Sequence, residues 1–236
     1  MLYQNRFYSI VVCLIFLIMA GSQAWSQEKS QNEYWGFGIT PQYDIPAFKF
    51  NDRFAGGPNL GLRFSYVKNE ITYEIICFYS IFSHGKIEDE TFLWNIDGQY
   101  HTSPEASSKY MSGGMLGILK KPFRRKIGPL SPYWSTGAGF VYFKHQINDL
   151  IFPGQTILPI DPTFTFSPEE EIQTAFNINF GGGFRYSITQ QLKADLNLRY
   201  NFLFAYLRPM EAWLLEKVSP MQSLGIGIDL TYYFTK

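Results

Sequence analysis

Cysteine is almost absent from this chain. Cys13 lies in an apolar N-terminal run and Cys77 stands alone downstream, so a disulfide-stapled scaffold and a thiol metal centre are both excluded. Net charge is absent too. The 20 Lys and Arg balance the 20 Asp and Glu, and the pI is near 6.8, which removes the electrostatic case for nucleic acid as a partner. Charged residues reach only 17 %, against roughly 25 % in ordinary soluble domains. Beyond the N-terminus no long apolar run occurs, and a helical membrane protein needs several of about 20 residues. What is plentiful is aromatic: Phe, Tyr and Trp make up 18 % of the chain. Few charges, many aromatics and no long apolar run together suit a chain that crosses a membrane by strands.

The N-terminus has the parts of a secretory signal. Arg6 precedes an apolar stretch from Phe7 to Ala20, and Ala24-Trp25-Ser26 places small residues at the −3 and −1 positions of a cleavage site before Gln27. The expected organisation is a signal peptide over 1–26 and one barrel domain over 27–236.

Alternation carries the fold. From Leu192 to Phe202, apolar Leu192, Ala194, Leu196, Leu198, Tyr200 and Phe202 interleave with polar Lys193, Asp195, Asn197, Arg199 and Asn201. A side-chain period of two means a strand with one apolar and one polar face. Phe176 to Tyr186 repeats the pattern, and Ser187 to Gln191 makes a polar turn that closes Tyr186 on Gln190 or Leu192, with Gly181 and Gly183 roughly opposite Lys193 and Asp195. Leu60 to Cys77 reads as a second hairpin. A Lys68-Asn69 turn pairs Tyr66 with Ile71 and Phe64 with Tyr73 on an apolar face, and brings Arg63 opposite Glu74 on the other.

Trp35–Tyr43, Lys109–Leu119, Tyr133–Phe143 and Leu224–Phe234 complete eight strands of about ten residues, the length that crosses an outer membrane when tilted. Between them, short turns alternate with long loops over 44–57, 83–108, 145–171 and 205–221, the last containing a helical turn or two within 209–217. The fold class is all-β, an eight-stranded antiparallel up-and-down transmembrane β-barrel. Its polar face is rich in Gly, Ser, Thr and Asn, which fits the crowded interior of a narrow barrel. The lumen is then expected to hold Arg63, Glu74, Arg185, Lys193, Asp195, Arg199 and Asp229 as a salt-bridged plug, since an unpaired buried charge is costly.

Catalytic, cofactor and metal motifs are not expected. His84, His101 and His145 fall in or beside the long loops, and the Glu88-Asp89-Glu90 and Glu169-Glu170-Glu171 runs have no EF-hand spacing. Gly181-Gly182-Gly183 lies mid-strand, so it is no phosphate loop. The expectation is a non-enzymatic barrel, monomeric or weakly oligomeric, with any binding carried by its loops. A narrow channel for ions or small solutes and a lipid-modifying enzyme are the alternatives.

The signal, the Pro132-Tyr133 to Gly137-Ala138-Gly139-Phe140 strand, the Gly181-Gly182-Gly183-Phe184-Arg185-Tyr186 to Leu198-Arg199-Tyr200 hairpin and the aromatic last strand resemble the outer-membrane β-barrel family of OmpA-type and small porin-like proteins. That resemblance implies residence in a bacterial outer membrane, lipid as the surrounding partner, insertion by the outer-membrane assembly machinery, periplasmic termini and long loops outside. His101-Thr102-Ser103 is also similar to the His-x-Ser of lipid A deacylases, but Pro104 and the polar surroundings put it in a loop rather than on a lipid-facing strand.

Overall fold

The computed structural model describes residues 33–82, 91–93, 100–102, 107–124, 127–149, 151, 161, 163–165, 169–209 and 216–234. The expected signal peptide, His84, the Glu88–Glu90 run, Ser103, Pro104 and most of the expected 209–217 helix lie outside these residues.

Ten strands follow in chain order: β1 (Tyr34–Ala47), β2 (Gly57–Lys68), β3 (Ile71–Phe82), β4 (Thr91–Leu93), β5 (Tyr100–Thr102), β6 (Ser107–Pro122), β7 (Leu130–Asn148), β8 (Glu169–Ser187), β9 (Leu192–Phe204) and β10 (Met221–Phe234). Eight of them close into an antiparallel barrel in the order β1-β10-β9-β8-β7-β6-β3-β2. β4 and β5 pair as a separate two-stranded ribbon within what the alternation leaves as a loop. Short turns join β2 to β3, β6 to β7 and β8 to β9 at one end of the barrel, and the strand ends that the long connections join lie at the other.

The apolar face points outward. Trp35, Phe37, Ile39, Leu60, Leu62, Ile75, Phe140, Phe180, Leu196, Leu198, Ile226 and Ile228 are all exposed, while Arg63, Ser65, Thr72, Glu74, Asn179, Asp195, Asn197 and Asp229 are buried. Aromatic rings mark both rims of the apolar band. Trp35, Tyr66 and Tyr73 stack in sequence across β1, β2 and β3 at the turn end (4.4 and 6.4 Å between centroids), and exposed Tyr43, Tyr79 and Tyr142 lie toward the loop end.

Two hairpin registers differ from the sequence reading by steps of two, which preserves faces. In β2–β3, Lys68 pairs with Ile71 and Tyr66 with Tyr73, so Asn69-Glu70 forms the turn and Arg63 opposes Ile76 rather than Glu74. Asn69 (φ 50) and Glu70 (φ 69) both have positive φ, as a type I′ hairpin turn demands, and Asn tolerates that region far better than Lys. In β8–β9, Tyr186 pairs with Ala194, Gly181 with Arg199 and Gly183 with Asn197. The wider turn is held by Thr189, whose Oγ1 accepts the N–H groups of Gln191 (3.2 Å) and Leu192 (2.9 Å).

The long connections are also shorter than expected, because alternation continues past the apolar band. β1 runs through Asp44 to Ala47, β7 through His145, and β8 begins at Glu169. A 3-10 turn over Phe48–Phe50 then folds back into the barrel mouth. Phe50 and Phe54 are buried there against Phe82 and Tyr110, with centroids 5.3 to 5.4 Å apart.

The I′ turn yields a test. Glu70→Gly, which relieves a left-handed residue with a Cβ, is expected to stabilise the barrel by about 1 kcal/mol, read from the shift in the urea midpoint of the protein refolded in lipid vesicles.

Candidate functional site

Six side chains from six different strands meet in the turn-end half of the lumen. Arg185 grips Asp195 directly across the β8–β9 ladder, Nε to Oδ1 at 2.7 Å and Nη2 to Oδ2 at 2.9 Å. Arg63 is fully buried and reaches Glu74 diagonally (3.3 Å), contacts Asp229, and lies 3.8 Å from Asp195. Lys120 sits among three carboxylates: Asp195 at 2.9 Å, Asp229 at 3.1 Å and Glu74 at 3.2 Å. Thr40 donates to the other Asp229 oxygen at 2.5 Å. Three cations therefore face three anions, the balance that burial in a low dielectric requires.

The remaining two expected members stand apart. Lys193 lies nearer the turn end, where its Nζ meets the Tyr34 hydroxyl (3.2 Å) and the faces of Tyr34 and Tyr233. Arg199 is buried on the loop side of the cluster and joins none of these ion pairs. It lines a cavity of about 50 Å³ together with Asp44, Gln42, Asn177 and Asn201, room for a few waters. Asp44 accepts from Asn59 (2.7 Å) and Ser80 (3.1 Å) through Oδ2, and its Oδ1 has no hydrogen-bond partner among the described residues.

Two glycines make room for the rings beside the cluster. A Cβ on Gly183 would lie 2.7 Å from the Tyr133 hydroxyl, and one on Gly36 2.6 Å from the Tyr233 ring. Tyr133 in turn offers its face to Lys120 at 4.9 Å.

The loop-end half of the lumen is not small and polar, as the Gly, Ser and Asn content suggested. Ile76, Phe82, Tyr110, Leu116, Val141, Phe143, Leu203 and Met221 fill it with a packed apolar core continuous with Phe50 and Phe54. Most of these side chains come from the inward positions of β3, β6 and β7, of which β3 alternates Thr72 and Glu74 with Ile76 and Phe82 on the same face.

Several residues were missed by sequence reasoning. Lys120 falls just past the expected Lys109–Leu119 strand, yet β6 runs on to Pro122 and carries it inward. Asp44 and Ser108 fall inside the expected loops over 44–57 and 83–108, yet β1 and β6 carry them inward. His145 is likewise no loop residue: it is buried on β7, with Ser108 Oγ 3.0 Å from its Nε2 and Glu171 Oε2 4.0 Å from its Nδ1. Glu170 pairs with Lys144 (2.5 Å) on the outer face of the same rung. His101 falls in the β4–β5 ribbon. Among the described residues no group of three or more metal-ligating side chains is arranged to hold an ion.

No protein-family model matches the chain, and no curated protein matches it. Solved structures of outer-membrane barrels do. Neisserial surface protein A is 14 % identical over 86 % of this chain and 97 % of its own, at a TM-score of 0.46. A major outer membrane protein from Thermus thermophilus is 10 % identical over 84 % and 99 %, at 0.48. The N-terminal β-barrel domain of Pseudomonas aeruginosa OprF is 15 % identical over 84 % and 97 %, at 0.39.

Removing one member of the ionic cluster leaves the others unpaired in a dry lumen. Lys120→Met is expected to destabilise the barrel by about 3–5 kcal/mol, measured by equilibrium urea unfolding in vesicles. Lys121→Met, one residue on with its side chain on the opposite face of the strand, is expected to change stability by under about 1 kcal/mol.

Proposed function

We propose that the protein is an outer-membrane β-barrel with a sealed lumen, which displays its long loops at the cell surface and has its turns and termini in the periplasm. The observation that carries this reading is the reversed distribution of side chains. A water-soluble eight-stranded barrel puts its apolar face inside, whereas here an unbroken apolar surface is outside and six paired charges are within. On β1 the outward series from Trp35 to Ile45 covers about 33 Å of strand at ~3.3 Å per residue. At the ~40° tilt usual in such barrels that spans roughly 25 Å, the height of an outer-membrane apolar band.

Lipid is then the principal partner, and a barrel of this kind reaches its membrane through the outer-membrane assembly machinery. A closed barrel satisfies its own backbone hydrogen bonds and leaves no edge that demands a second copy, so it serves as a monomer. The ionic cluster and the aromatic packing above it block the lumen in series, which supports a surface-display role over a channel.

Fractionation and gel migration test the reading. The protein is expected in the detergent-extracted outer-membrane fraction, running faster unheated than boiled; a form soluble without detergent overturns it. In planar bilayers the folded protein is expected to be silent, and discrete single-channel steps overturn the sealed lumen. Leu196→Arg, at the outward mid-strand position, is expected to cost about 2–4 kcal/mol in lipid vesicles.

A further inference from the structure

We propose that Ser108, His145, Glu171 and Arg53 form a hydrolytic site for carboxylic esters at the loop end of the barrel, with Ser108 as nucleophile. This goes beyond the display reading, which needs no chemistry, and departs from the expectation of a non-enzymatic barrel.

The three strands β6, β7 and β8 are consecutive in the wall, and their inward positions on neighbouring rungs bring the first three residues together: Tyr110 pairs with His145, and His145 with Glu171. The nitrogens are used in the order that acyl transfer needs. Ser108 Oγ lies 3.0 Å from His145 Nε2, and the Glu171 carboxylate faces Nδ1 at 4.0 Å. With the ring proton on Nδ1, toward the carboxylate, Nε2 accepts the Ser108 hydroxyl proton. Lys144 and Glu170 on the outer face of this rung place it above the apolar band.

Arg53 supplies the fourth element. It is 1 % exposed, and its Nη2 is tied to the carbonyls of Arg208 (2.6 Å) and Glu216 (2.7 Å). Its Nε and Nη1 have no hydrogen-bond partner among the described residues. Two buried cationic donors left free beside the imidazole are suited to a developing oxyanion. The neighbouring Phe54 ring, 5.2 Å from the imidazole, and Tyr110 and Phe143 beyond it make an apolar wall for an acyl group. Phe54 packs edge-on against the imidazole, so ester entry needs this ring to swing aside while Arg53 stays tied to the Arg208 and Glu216 carbonyls.

In the reaction Ser108 Oγ bonds to the ester carbonyl carbon as its proton passes to His145 Nε2. The bond from carbon to the alkoxy oxygen then breaks, and His145 returns the proton to the leaving alcohol. Water, deprotonated by His145, attacks the acyl-serine and releases the carboxylic acid and free Ser108. Glu171 is a positioning residue whose nearby negative charge favours the proton on Nδ1; it also accepts from Gln173 (2.6 Å) and from the Arg208 N–H (3.4 Å).

The test is labelling of the purified, folded full chain with an alkyl fluorophosphonate, followed by peptide mass spectrometry, alongside hydrolysis of p-nitrophenyl butyrate. The expected adduct is on Ser108. It is expected to be absent in Ser108→Ala and slowed roughly 100-fold or more in His145→Gln. Glu171→Gln is expected to slow it and Glu171→Asp to restore most of the rate, with heat-modifiable migration confirming that each variant folds. A wild-type protein that folds but takes no label, or a label on any other residue, overturns the site. Neither result touches the membrane assignment, which fractionation decides independently.

Discussion

Closure of β1 against β10 is the constraint from which the interior follows. Once the first and last strands pair from Trp35–Phe234 to Ala47–Gln222, the barrel wall has no unpaired edge and the lumen width is set by strand number and tilt. Eight strands leave room only for side chains. Every inward residue must then find its partner among a few neighbours, in a medium where an unpaired charge costs several kcal/mol. The six-membered ionic cluster, the tyrosines seated over Gly36 and Gly183, and the aromatic packing under the mouth are three solutions to the same crowding.

That constraint explains which features were legible in the sequence. A period of two assigns faces without reference to register, so the inward placement of Arg63, Glu74, Arg185, Asp195 and Asp229 follows from alternation alone. Register does not, because a slip of two residues leaves every face unchanged. Only turn chemistry resolves it: the left-handed pair Asn69-Glu70 in one hairpin and the Thr189 hydroxyl in the other. The Arg63–Glu74 contact survives the shift because a long guanidinium reaches a diagonal neighbour as readily as a direct one.

Most of the residues that sequence patterning misses share another cause. Asp44 is still flanked by outward Tyr43 and Ile45, whereas Ser108, His145 and Lys120 lie near strand ends, at or past the edge of the apolar band. There the outward residues turn polar and the alternation of apolar with polar, the usual strand signal, fades into polar with polar. Lys144 and Glu170 outside, with His145 and Glu171 inside, are still fully paired strands, but their sequence reads as loop. Chemistry-bearing side chains at a barrel rim are for this reason the hardest to see by pattern.

The ionic cluster also has an order built into it. Arg63 with Glu74 belong to one hairpin, and Arg185 with Asp195 to another, so each pair is neutral as soon as its own two strands meet. Lys120 and Asp229 are different. They stand 109 residues apart, on β6 and β10, and meet at 3.1 Å only across the finished lumen. Lys120 also meets Glu74 on the neighbouring β3 (3.2 Å), and Asp229 also meets Arg63 on β2, so this pair joins the two hairpin pairs into one cluster. The Lys120–Asp229 contact is thus a seal drawn across the bore rather than along the wall, made by the complete circle of strands and by no shorter arc of it.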